Sequence, residues 1–278
     1  ILLPGVPKEA EPMFKNQVVP MLKRLETGVI ISKYIRTIGI GESRLEEKLA
    51  FMINGKNPTV ALYAKDGEVL VRITASAKDK AAAEEMLDGA YKSIDSAVHN
   101  YIYGVDVDNI ETAIVRKLQK EGKILATAES CTGGLLSQKI TSVAGASHVF
   151  ELGLCTYAER MKTKLLGVPA ELIAEKGVVS AEVASAMVQG LRTQAEADLC
   201  LSVTGLAGPG GGTPEQPVGT VYAGILYGKQ EYVMHLQLWR YGLHTREEIR
   251  HGAAVCIFGV AERILMEETE CRKKKKPL

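Results

Sequence analysis

Lys123-Ile124-Leu125-Ala126-Thr127-Ala128-Glu129-Ser130-Cys131-Thr132-Gly133-Gly134 is the stretch that decides the fold. Residues 123–128 read as a short apolar strand, and residues 132–142 as the helix that follows it. Between them stand small hydroxyls and two glycines. In an open α/β sheet this junction, outside the carboxyl end of a strand, is where ligands bind. Glycines there leave backbone N–H groups uncovered, and the helix dipole favours an anion. A plain helix cap with tight helix–sheet packing has the same composition, so position alone leaves both readings open.

Outward from this junction the chain alternates helix and strand. Upstream, Asp108 and Glu111 form a capping box, Ile110, Ile114 and Leu118 line one helix face, and Gly122 sits at its stop. Downstream, residues 153–157 read as strand and 158–166 as helix. Ser180 caps a helix over 181–195, and 198–204 is an apolar strand. Residues 219–227 and 231–238 pair as a hairpin around Gly228-Lys229, and 245–266 closes the chain as a helix. The pattern predicts an α/β fold, a three-layer α/β/α sandwich with the sheet covered on both faces. A second glycine-rich loop, Thr204-Gly205-Leu206-Ala207-Gly208-Pro209-Gly210-Gly211-Gly212-Thr213, follows an apolar strand. Such a loop is either mobile or a close backbone approach to a ligand. Neither loop carries a Walker lysine or the dinucleotide fingerprint.

Ahead of this module, residues 29–106 make a smaller α+β pattern. It comprises a strand over 29–38, a helix over 42–53 with Leu45, Leu49 and Ile53 at helical spacing, two strands (60–64 and 69–76) around Asp66-Gly67, and a helix over 78–98. Gly104-Val105-Asp106 reads as a linker. Residues 1–28 open with Ile1-Leu2-Leu3, an apolar strand with no neighbours, then a helix over 9–25 interrupted at Pro20. We expect the chain to be a fragment of something longer. Residues 269–278 form a basic, solvated tail.

Composition narrows the class. Thirty-four basic against 33 acidic residues give a net charge of +1, so nucleic acid is not expected as a partner. The longest apolar run, residues 253–261, is about half of a membrane span. Five cysteines without paired spacing, and no leader, point to reduced thiols in the cytoplasm. The five histidines lack ligand spacing, so no metal is expected; no cofactor is expected either.

Three residues are candidate nucleophiles. Cys131 lies at a helix start, where a thiol pKa can fall. Ser130 is its neighbour, and Ser147 lies in Gly145-Ala146-Ser147-His148, ahead of Tyr157 and Lys162. A serine needs a proton acceptor, and a desolvated lysine can serve. His148 is an alternative base, though a lone histidine there is more simply a packing or surface residue. Arg246 and Arg250, four apart on the last helix, share a face that could meet a phosphate or carboxylate, or pair with Glu247.

Thr127–Gly134, Gly153–Tyr157, Gly177-Val178-Val179-Ser180, Thr204–Pro209 and Pro217-Val218-Gly219-Thr220-Val221, in this order, resemble the C-terminal amidase domain of the bacterial CinA (competence/damage-inducible protein) family. This is the PncC type, a nicotinamide-nucleotide amidase. The resemblance covers about residues 107–268. It implies hydrolysis of nicotinamide mononucleotide to nicotinate mononucleotide and ammonia, by a serine, a tyrosine and a lysine falling on Ser147, Tyr157 and Lys162. It further implies substrate contacts from Glu129, Ser130, Thr132, Gly133, Gly134, Thr204, Gly205 and Arg246, with Arg250 as the other arginine for that place. Residues 29–106 resemble the family's KH-type domain, and 1–28 the end of its molybdopterin-binding-like domain. The acidic motif for that domain's pyrophosphatase activity is not in this sequence, so that activity is not expected. A homodimer or higher homo-oligomer is. A thiol hydrolase using Cys131, or a silent binding protein linked to competence or DNA damage, are the alternatives.

Overall fold

In the computed structural model the backbone is described for residues 1–23, 28–65 and 67–275, and side chains as far as Glu268. The chain separates into two compact units. One gathers residues 1–35, 42–63 and 70–102, the other 36–41, 64–69 and 103–278.

The chain begins without a strand. Pro7–Met13 (α1) and Val19–Lys23 (α2) are helical, joined by a π-helical turn over Phe14–Val18. The expected break at Pro20 is therefore a widening just before it. Proline lacks an N–H and its ring crowds the carbonyl four residues back, and a π-turn relieves both without stopping the helix. The far end of that expected helix, Leu25, lies outside the described residues, as does Asp66 of the expected turn.

Four strands follow in the sheet order β2-β3-β1-β4: β1 (Val29–Ile38), β2 (Thr59–Lys65), β3 (Glu68–Ala77) and β4 (Ile102–Val105). The last occupies the place expected for a linker. β3 buries alternate residues (Val69, Val71, Ile73 and Ala75), as a strand with one covered face must. Two helices, α3 (Glu42–Ile53) and α4 (Lys80–Val98), bury Leu45 and Leu49, and Leu87 and Ile94. Asp79 caps α4, accepting from the Ala82 N–H at 2.9 Å.

The larger unit is built on a second sheet of five strands, in the order β6-β5-β7-β8-β9. Three neighbouring strands, β6 (Phe150–Cys155) at one edge, then β5 (Leu125–Glu129) and β7 (Leu199–Gly205), are all parallel. The hairpin β8 (Thr220–Tyr227) and β9 (Gln230–Gln237) then adds antiparallel. β5 is buried on both faces, which explains its unbroken run of small and apolar residues. On one face Leu125, Leu201 and Val203 pack with Ile114 and Leu118 of α5 (Ile110–Glu121), Leu136 of α6 (Leu135–Thr141) and Phe258 of α10 (Arg246–Lys275). On the other, Ala126, Ala128 and Cys200 pack with Val183, Met187 and Leu191 of α9 (Ala181–Ala195), together with Leu166 of α7 (Glu159–Leu166) and Leu172 of α8 (Ala170–Lys176). This is the expected three-layer α/β/α sandwich, with a mixed sheet.

Several boundaries differ from the sequence reading. The cap of α5 is Asn109, whose side chain accepts from Thr112 N–H at 2.9 Å, not Asp108. Glu111 instead ion-pairs with Lys139. α6 begins at Leu135 because Gly133 and Gly134 both take positive φ, +60° and +93°, conformations glycine adopts at no steric cost. α10 starts with a reciprocal cap. Thr245 N–H donates to the Glu248 carboxylate at 2.9 Å, and Glu248 N–H donates to Thr245 Oγ1 at 3.3 Å. Its backbone stays helical to Lys275, so part of the expected tail is helix. The side chains of 269–275, and residues 276–278, lie outside the described residues. No helix among the described residues is long and apolar enough to cross a membrane.

Candidate active site

β5, β6 and β7 run parallel, so their carboxyl ends share one edge of the sheet. From β5 the chain crosses through α6 to β6 on one side, whereas β7 leads to β8 on the other. Loops after β5 and β7 thus diverge, which opens a crevice between them. A cavity of about 190 Å³ lies there. Ser130 and Cys131 from the end of β5 form one wall, and Thr204 to Ala207 from the end of β7 another. Val178 and Val179 ahead of α9 form a third, with Tyr157, Glu159 and Arg246 at the sides.

Ser130 is anchored by its backbone, its N–H donating to Val203 O at 3.0 Å. Its hydroxyl oxygen receives a hydrogen bond from Lys162 Nζ at 3.0 Å, and the same amine donates to Thr156 O at 2.7 Å. Lys162 sits four residues before Leu166 on the buried stripe of α7 and is fully buried. Burial pushes its pKa below the usual lysine value, because an ammonium loses its hydration there. The Glu159 carboxylate pulls weakly the other way. A buried lysine bonded to neutral oxygens is a proton acceptor placed on a serine.

Ser147 does not join them. It is exposed in a 3₁₀ turn (Ala146–His148) before β6, whereas Tyr157 and Lys162 come after it. The six residues of β6, roughly 20 Å of extended chain, separate the two positions. Local sequence spacing suggested proximity; the strand carries the two groups to opposite ends of the sheet. The serine that meets Lys162 is Ser130, already one of the three candidates, and not the expected Ser147.

Cys131 lines the cavity but is only 5% exposed, and burial pushes its thiol pKa up to about 12. Desolvation outweighs the helix-start effect that could have activated it, which weighs against the thiol-hydrolase alternative.

Other expected contacts divide between lining and scaffolding. Thr204 and Gly205 line the cavity. Thr204 Oγ1 donates to Val178 O at 2.8 Å, fixing that wall, and a Cβ on Gly205 would stand 2.7 Å from Val221 Cγ2. Glu129, expected to touch substrate, is fully buried and turned to α6. Its carboxylate accepts from Leu136 N–H at 3.0 Å, Ser137 N–H at 2.8 Å and Ser137 Oγ at 2.7 Å. It caps that helix from the preceding strand. Thr132, Gly133 and Gly134 shape the turn and lie outside the lining.

The two arginines separate cleanly. Arg246 lines the cavity, donating to Tyr157 Oη at 2.8 Å and to Gly208 O at 2.7 Å. Arg250 donates to Thr132 O through Nε at 3.1 Å and through an η nitrogen at 2.7 Å, so it holds the turn after Ser130. Val178 and Val179 belong to the Gly177–Ser180 block but are not among the expected contacts, and Glu159 has no sequence signal beyond its place three residues before Lys162.

Residues 107–264 match the CinA C-terminal domain and residues 32–104 the KH domain of damage-inducible protein CinA. The chain belongs to the CinA family. A CinA-like protein of Kosmotoga olearia is 45% identical over 267 residues, spanning 96% of this chain and 64% of its own length. A putative competence-damage inducible protein of Caldanaerobacter subterraneus subsp. tengcongensis is 44% identical, over 95% of this chain and 63% of its own. The chain thus spans just under two thirds of these curated CinA relatives. Among solved structures, the competence/damage inducible protein CihA of Agrobacterium tumefaciens superimposes with a TM-score of 0.52 at 34% identity, covering 55% of this chain and 91% of that one. A CinA superfamily protein of Klebsiella pneumoniae gives 0.54 at 28% identity, covering 57% and 96%.

Proposed function

We propose that this CinA-family chain hydrolyses the carboxamide of nicotinamide mononucleotide, giving nicotinate mononucleotide and ammonia, with Ser130 as nucleophile and Lys162 as general base. The observation that carries the reading is the 3.0 Å bond from Lys162 Nζ to Ser130 Oγ, buried at the wall of a small cavity. Ser130 Oγ attacks the amide carbon while its proton passes to Lys162. The tetrahedral intermediate collapses as the Lys162 ammonium returns that proton to the departing nitrogen, releasing ammonia and leaving an ester on Ser130. Water then attacks the ester, its proton again taken by Lys162. The carboxylate leaves, and Ser130 recovers its hydrogen. Because the Ser130 N–H is spent on Val203 O, the oxyanion falls to the N–H of Cys131, the residue directly after the nucleophile. Tyr157 acts through Arg246, whose remaining N–H groups take the substrate phosphate. The reading carries with it a hydrolase without metal or cofactor, working in the cytoplasm as a homo-oligomer.

The test is ammonia release from nicotinamide mononucleotide in the presence of a chelator, by wild type and Ser130→Ala. Chelator-resistant turnover that vanishes in the variant supports the reading. No turnover by folded wild type overturns it in favour of a silent binding protein.

A further inference from the structure

Only two of the residues lining the cavity carry a charge, Arg246 and Glu159. They do not pair with each other. Arg246 is turned to Tyr157 and Gly208, while the Glu159 carboxylate makes no hydrogen bond or ion pair among the described residues. The lining also includes the apolar side chains of Val178, Val179, Leu206 and Ala207. The cavity is thus dipolar, with a lone carboxylate beside the Ser130 wall and a guanidinium at its side. Its volume of about 190 Å³ is below the roughly 300 Å³ of a complete small-molecule site, so it takes one ring and leaves the remainder of a larger ligand at the rim.

We propose that Glu159 selects a cationic ring, an N-alkylated pyridinium carboxamide, over a neutral aromatic carboxamide of the same shape; this rests on the amide-hydrolase reading above and adds the charge of the substrate ring to it. A carboxylate one helical turn from the general base otherwise works against the chemistry, since its field favours the protonated form of Lys162. A pyridinium seated on Glu159 cancels that field and, being itself a cation, disfavours a second positive charge beside it. The substrate's own charge thereby returns Lys162 to the free amine at the moment a base is required. A neutral ring leaves the Glu159 field uncompensated and forms no ion pair.

The experiment measures equilibrium binding by calorimetry in a Ser130→Ala background, so that no turnover intervenes. The probes are nicotinamide mononucleotide and its neutral isostere, the 5′-phosphate of benzamide riboside. With Glu159 present the cationic ligand binds at least threefold more tightly. In Glu159→Gln that preference falls to unity, through weaker binding of the cation with the neutral ligand unchanged. The same preference in both proteins, or equal loss for both ligands, overturns the assignment of Glu159 while leaving the amidase reading intact. Binding of neither ligand, with or without Glu159, overturns both.

Discussion

Lys162 Nζ stands 3.0 Å from Ser130 Oγ and 2.7 Å from Thr156 O, so a fully buried amine meets two neutral oxygens. An ammonium here would forgo most of its hydration without an ion pair in return. The free amine fits the site, and the free amine is what a serine needs as a proton acceptor.

Ser130 follows the carboxyl end of β5 whereas Ser147 precedes β6, its parallel neighbour, and mutation distinguishes them. Ser130→Ala is expected to lower kcat by about six orders of magnitude, the scale on which loss of a nucleophile acts in serine hydrolases. Ser147→Ala, in an exposed turn at the far end of β6, is expected to stay within twofold of wild type. Steady-state ammonia release measures both, and the reverse order would restore Ser147 as nucleophile.

The pH dependence follows from Lys162. Activity requires its unprotonated form, so kcat/KM rises with pH and levels off above the lysine pKa, which burial holds below its ordinary 10.5. Glu159 raises that pKa, as do Cys131 and Cys155 if ionised. Removing the carboxylate in Glu159→Gln therefore moves the acid limb to lower pH. Lys162→Arg, which keeps a charge that cannot be lost, is expected to be inactive throughout. A profile unchanged by Glu159→Gln would show that the limb belongs to another group.

Cys131 is expected to resist alkylation. With its thiol pushed up to about 12 by burial, almost none is thiolate near neutral pH. Peptide mass spectrometry after iodoacetamide treatment of native protein should find Cys131 unmodified, and Cys131→Ala should retain turnover. Rapid alkylation of Cys131 that tracks loss of activity would revive a thiol mechanism.

The layered fold was readable because periodicity reports burial. The run Leu125-Ala126-Thr127-Ala128 and the spacing of Ile110, Ile114 and Leu118 each mark a covered face, and each takes the element it predicts. The same is true of the glycine-rich ends of β5 and β7, which do flank the cavity. What failed was distance across the fold. Ser147 lies only ten residues before Tyr157, but extended chain converts those residues into separation. The role of Glu129 was equally hidden. The family resemblance implied a substrate contact there, and only the path of α6 shows that the carboxylate meets Leu136 and Ser137 N–H groups.

That capping role has a measurable cost. Glu129→Gln keeps the shape but replaces one carboxylate oxygen with an amide NH₂ facing a backbone N–H. A lost helix cap costs about 1–2 kcal/mol. In a domain of this kind that lowers Tm by roughly 2–8 °C, read by calorimetry. An unchanged Tm would mean that α6 is held by packing alone.

Arg246 and Arg250 lie one helical turn apart on α10 but hold different things, so their variants should differ in kind. Arg246 reaches the cavity, and under the proposed function its loss removes a charge that would bind the substrate phosphate equally in ground and transition states. Arg246→Ala is therefore expected to raise KM for nicotinamide mononucleotide by tenfold or more, with a smaller effect on kcat. Arg250 grips Thr132 O and so the turn that follows Ser130 and Cys131. Arg250→Met fills much of the same space without the two hydrogen bonds, letting the Cys131 N–H drift from the position of the oxyanion. Its expected signature is a kcat reduced by about 10²-fold, the scale for losing one oxyanion donor, with KM little changed. The same KM-dominated defect in both variants would place both arginines on the substrate and remove the positioning role of Arg250.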